Sequence, residues 1–179
     1  MLDWLPAQEQ VLRDSHRAYT DTSQGELAFS AAAEWMLDNF YIVQQVIRQV
    51  EKDFTPGYDD DLPKLTDSEA TAITRIFALT RPFVRHEQCQ VDRQRLHQFL
   101  SAYQMITPLT IGEMWALPIM LRISLLAALT QANRRITHQP PAEIPDALDF
   151  TLQIEDKDVV ANCIVSLRLL SNTGLANLF

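Results

Sequence analysis

Asp59, Asp60 and Asp61 place carboxylates at the D-x-D spacing that can hold a divalent metal against the phosphates of a sugar nucleotide. Such a site needs a strand end and a nucleotide pocket to aim its oxygens. Here the triplet lies between Pro56-Gly57 and Pro63, a turn-rich context that predicts a solvated acidic loop. The four histidines, His16, His86, His97 and His138, form no HExxH or HxH pattern and no ligand spacing with cysteine. No serine stands in G-x-S-x-G, and neither G-x-x-x-x-G-K nor G-x-G-x-x-G occurs. Glu34 and Asp38 share a helix face at a spacing used in di-metal bundles, but the Glu-x-x-His motifs such bundles require are missing. The expectation is a segment with no catalytic residue, no metal ligand and no cofactor.

Arg122 is the most informative single residue. It sits in the apolar run Met114–Leu129, where an unpaired charge is very costly to bury. Glu113, nine residues earlier at about 100° per residue, falls on the opposite helix face. The reading is therefore a structural ion pair between Arg122 and a carboxylate of the 31–52 helix, Glu34 or Asp38. Trp35, Asn39, Tyr58 and Trp115 join Arg122 as candidates for binding or for an interface. Each also has a plainer role: tryptophans anchor cores, and asparagine caps or bridges helices.

The elements that would position these residues are helical nearly throughout. A first helix is predicted over Pro6–Tyr19, then a polar turn through Thr22, Ser23 and Gly25. Ser30 caps a helix over Ala31–Lys52, whose Met36, Phe40, Val43, Ile47, Val50 and Phe54 line one stripe. After a loop over Asp53–Leu65, Thr66 and Glu69 read as a capping box opening a helix with Ile73, Ile76, Phe77 and Val84 inward. Pro82 should kink or end that helix near Arg81. Asp92 caps a fourth helix carrying Leu96, Phe99, Leu100 and Tyr103.

Thr110 and Glu113 form a second capping box, opening a helix that is apolar all round, as a helix enclosed by its own protein must be. Arg134 and Arg135 suit its C-terminal dipole. A proline-bearing connection spans 139–154, and a last helix, 155–172, buries Val160, Cys163, Ile164 and Leu167 before Asn172-Thr173-Gly174 stops it. No strand or repeat is evident. The fold class expected is all-α, a compact bundle of about six helices around a central apolar helix at about 111–135. One domain covers 1–179: an N-terminal helix and turn (1–29), a main bundle (30–138), the connection and the C-terminal helix.

Bulk properties agree. A chain of 179 residues that is 47% hydrophobic buries a real core without staples. Four glycines weigh against doubly wound and all-β folds. A net charge of −8 argues against nucleic acid and anionic lipid as partners. Cys89 and Cys163 lack disulfide-framework spacing and read as reduced thiols. Met1–Trp4 has no signal-peptide character, and Met114–Leu129 falls short of the roughly 20 residues that cross a bilayer. No direct membrane insertion is expected.

Three stretches carry a resemblance. The first is Ala33–Phe40 (AEWMLDNF), leading to Gly57-Tyr58 and Leu62–Leu65; the second is Ala102–Arg122 (AYQMITPLTIGEMWALPIMLR); the third is Val160–Leu170 (VANCIVSLRLL). In this order the chain resembles the N-terminal region of cyclic β-1,2-glucan synthases over most of Ala31–Leu170. The resemblance implies a parent with a UDP-glucose-dependent glucosyltransferase domain, transmembrane helices and a C-terminal region similar to glycoside phosphorylases. It further implies a cytoplasmic, non-catalytic helical domain of an inner-membrane protein, one that positions or regulates catalytic parts. Its partners would be those other regions of the same polypeptide. No catalytic residue of the family carries over, and Asp59-Asp60-Asp61 departs from the pattern after Gly57-Tyr58. An alternative is an independent helical module recognising glucan or a protein partner, which predicts Trp35, Tyr41 or Trp115 in an open groove. A stand-alone helical enzyme would instead need a pocket of converging titratable groups.

Overall fold

The computed structural model describes residues 4–21, 30–65, 73–139 and 152–172, which form an all-α bundle with one minimal two-stranded ribbon. Helix α1 (Leu5–Thr20) starts with Pro6 in its first turn, where a missing N–H costs nothing, and buries Leu5, Val11, Leu12 and Tyr19. Helix α2 (Ala31–Asp53) is capped by Ser30, whose hydroxyl accepts the Ala33 N–H at 3.2 Å. Its inner face holds Met36, Val43, Ile47 and Val50 as expected, while Phe40 is only half-buried and stacks on His16 with ring centroids 4.3 Å apart.

The chain then departs from the sequence expectation. Strands β1 (Lys64–Leu65) and β2 (Ile73–Thr74) pair antiparallel, Lys64 opposite Thr74 and Leu65 opposite Ile73. Ile73 thus belongs to a strand, and helix α3 (Arg75–His86) begins after it, with the Arg75 N–H bonded to the Pro63 carbonyl at 2.7 Å. The expected capping pair Thr66 and Glu69 lies outside the described residues, as do Thr22, Ser23, Gly25, Thr173 and Gly174. Nor does Pro82 end α3, which runs on to His86. A proline forfeits its own backbone bond, and burial of Phe83 and Val84 against the core outweighs that loss.

Helix α4 (Arg93–Gln104), capped by Asp92 through the Arg95 N–H at 2.9 Å, buries only Leu96 and Leu100. Helix α5 (Ile111–Ile136) is the centre of the molecule: every residue from Ala116 to Asn133 is buried. It packs on α3, α1 and α2, and on helix α6 (Asp156–Asn172), which also covers α2. At 26 residues α5 is longer than the apolar run that marks it, and by length and composition it could cross a bilayer. Here 78% of its most apolar window is enclosed by the protein itself. Cys89 and Cys163, distant in sequence, meet in the core as free thiols; burial, then the neighbouring Cys89 thiol, push Cys163 well above its ordinary pKa.

Candidate functional site

The sequence-derived candidates separate into three places. Asn39 is buried on α2, donates to the Trp35 carbonyl at 2.9 Å and accepts a hydrogen bond from the Arg168 guanidinium of α6. Trp35 itself is half-buried against the core. The Asn39–Arg168 bond latches α6 onto α2.

Arg122 and Tyr58 lie at the far end of α2. Arg122 Nη2 donates to the Leu170 carbonyl at 2.8 Å, and its Nη1 stands 3.6 Å from Asp53 Oδ2. The partner is therefore neither Glu34 nor Asp38, which are exposed on the first half of α2. Arg122 sits against the end of that helix, where Asp53 is its last residue, and a guanidinium cannot reach back fifteen positions or more. Burial lowers the Arg122 pKa and Asp53 partly restores it, while the closer contact is the Leu170 carbonyl near the end of α6. Tyr58 packs its ring 5.1 Å from Phe54, and its pKa is raised by burial and by Asp53. Asp59, Asp60 and Asp61 are placed in the turn after α2, and Asp60 meets Lys64 at 3.9 Å.

Trp115 defines a third place. Ahead of it, α5 is pinned by Glu113, fully buried, which closes the capping box with Thr110 and accepts two bonds from Arg75 at 2.7 and 2.5 Å. Burial pushes the Glu113 carboxyl up, but the Arg75 and Thr110 hydrogen bonds outweigh it and hold the group below the usual carboxylate range. Around this anchored turn the apolar side chains face outward: Met105 is 88% exposed, Ile106 87%, Ile111 78% and Trp115 61%. Ile111 and Trp115, four apart, share a helix face. Residues 104–112 contain no charge at all. The joint between α4 and α5 is thus an uncharged apolar tip on an acidic molecule.

Sequence reasoning missed a fourth place, a groove of about 1030 Å³ between the end of α3 and α4. It exists because α3 ends abruptly. Gln88 and Cys89 adopt left-handed backbone with φ of 50° and 64°, and the Cys89 N–H returns to the Val84 carbonyl at 2.8 Å. Neither residue is glycine, so this turn is strained, and α6 holds it. Asn162 donates to the Gln88 carbonyl at 3.0 Å, while Ser166 donates to the Cys89 carbonyl at 2.7 Å and accepts the Val91 N–H at 2.9 Å. Glu87 is bonded by Arg95 at 2.6 Å and lies 3.0 Å from His86 Nδ1; burial raises its pKa, and these two partners more than reverse that. Half-buried Phe99 leans on Phe83 with centroids 5.3 Å apart. Tyr41, 59% exposed, lines a smaller depression with Arg13, His16 and Phe40. Among the described residues no cluster of three metal-ligating side chains occurs.

Among the described residues, a bundle of six helices, one of them apolar and central, defines a class, the all-α helical domain. No family model matches the chain. It is similar to the cyclic beta-(1,2)-glucan synthase NdvB of Rhizobium meliloti (strain 1021), 30% identical over 175 residues, which is 96% of this chain. The chain spans 6% of that relative's length and is consistent with a fragment of such a protein. The likeness covers all three stretches on which the sequence resemblance rests.

Proposed function

We propose that this chain is a non-catalytic helical domain of a cyclic β-1,2-glucan synthase-like glucosyltransferase, packing against its catalytic regions and positioning them. The observation that carries this reading is the uncharged tip of Met105, Ile106, Ile111 and Trp115. Apolar side chains displayed together on a surface mark a contact with another protein surface. The capping box and the Arg75–Glu113 pair hold that tip rigid, so it can transmit position. In this reading the domain lies on the cytoplasmic side of an inner-membrane parent, and its partners are other regions of the same polypeptide.

The test is the double substitution I106S/W115S in a full synthase containing this segment, assayed for glucan made from UDP-glucose. Output is expected to fall at least several-fold, while the isolated domain keeps its melting temperature. Unchanged output would remove the positioning role. Glucan made by the 179-residue chain alone would remove the non-catalytic one. The second reading, an independent module binding glucan or a protein partner, is favoured by the exposure of Tyr41 and Trp115.

A further inference from the structure

The α3–α4 groove exceeds the depressions of about 420, 460 and 370 Å³ on the same molecule, and no latch or cap described above needs it to be open. At about 1030 Å³ it lies at the top of the roughly 300–1,000 Å³ range of small-molecule sites. It shares His86, Glu87, Gln88 and Arg95 with a second depression of about 420 Å³ that continues to Asn162 and Asp158 on α6. Together they form one open track across the end of α3.

The lining has a definite chemical character. Phe99 and Pro82 offer flat apolar surface. Beside them stand the amide side chains of Gln98 and Gln153, which can donate and accept, whereas Gln88, Gln90 and Asn162 are tied to one another and to the backbone. A pyranose matches this pairing, since its C–H face stacks on a ring while its rim hydroxyls each donate and accept. The charges are mixed: two arginines, Arg85 and Arg95, line the groove with one carboxylate, Glu87. Arg95 is paired with Glu87, while Arg85 leaves a positive charge at the rim, so a phosphate-bearing sugar is the competing ligand that the test must separate. The floor is also preformed, because Asn162 and Ser166 lock the left-handed turn, so binding would cost little ordering.

We propose that this groove binds a strand of glucan, with Phe99 as stacking platform and Gln98 and Gln153 as hydroxyl-binding side chains. That the sugar is a β-1,2-linked glucan rests on the proposed membership of a glucan synthase; that it is an oligosaccharide rests on the Phe99 face and the Gln98 and Gln153 amides.

The experiment is amide-resolved NMR titration of the 179-residue chain with short linear β-1,2-gluco-oligosaccharides, and separately with UDP-glucose. Saturable shifts confined to residues around Gln88, Arg95, Gln98 and Gln153 are expected with the oligosaccharide. Q98A/Q153A should weaken binding about tenfold, the loss of one or two net hydrogen bonds, with the fold unchanged. No shift at the groove, shifts centred on Tyr41 or Trp115, or a response to UDP-glucose alone would each overturn the proposal. Loss of synthase output in I106S/W115S beside a silent groove would sink this inference and leave the positioning role standing.

Discussion

Arg122 and Glu113 illustrate how differently a buried charge can be settled. Glu113 has a full set of partners: the Thr110 backbone and hydroxyl and both arms of Arg75. Glu113→Gln removes the negative charge opposite Arg75 while leaving the cap's backbone bond in place, and should cost about 1–3 kcal/mol, read as a lowered denaturation midpoint. Because its folded pKa lies below the unfolded value of about 4.3, the unfolded chain binds protons first as pH falls. The stabilisation is therefore present above that value and lost as pH drops through the folded pKa. Melting temperature measured from pH 6 to 3 should fall steeply, and less steeply in Glu113→Gln. Arg122 is held chiefly by the Leu170 carbonyl, since Asp53 is 3.6 Å away and its side chain is 43% exposed. Asp53→Asn should thus cost under about 1 kcal/mol and Arg122→Met more, about 1–2 kcal/mol. Equal effects of the two substitutions in chemical denaturation would show that the ion pair matters more than the carbonyl bond.

The helices were legible in the sequence to different degrees, and the reasons are local. Caps at Ser30, Asp92 and Thr110 all form, because a side-chain acceptor needs only the next turn's N–H to act. Pro82 misleads as a helix end: it sits inside α3, which continues, because burial on the rest of the bundle exceeds one lost bond, while Pro118 lies inside α5 as expected. The strand at Ile73 was illegible, since two residues hold no alternation pattern. Helix α5 carries the core, and Leu125→Ala should destabilise by about 2–5 kcal/mol, as truncation at a fully enclosed site does. For the turn at Gln88-Cys89, Ser166→Ala leaves the Cys89 carbonyl and Val91 N–H unsatisfied and should cost about 1–3 kcal/mol. Hydrogen exchange should then rise first at 87–92, ahead of the α5 core; uniform acceleration across the chain would refute a local role for Ser166.

At the scale of the whole molecule, an acidic bundle displays an uncharged apolar tip and a separate groove of mixed character, each on a different joint of α4. The tip predicts that I106S/W115S improves the behaviour of the isolated chain, lowering self-association in sedimentation without changing its melting temperature. Both joints flank the helix with the smallest buried face, since α4 contributes only Leu96 and Leu100 to the core. Sequence by itself determined the all-α class, the central place of the 111–136 helix, the three caps and the kinship with a glucan synthase, because periodicity, capping and residue identity are properties of neighbouring positions. Tertiary structure alone decided that Arg122 meets Leu170 and Asp53, that Cys89 meets Cys163, that Trp115 faces outward and that a groove opens beside α3. Those outcomes depend on which helix ends come to lie together. Helices α1, α2 and α6 each carry more than one carboxylate, and apolar faces occur on every helix, so no local pattern distinguishes the one that will be met.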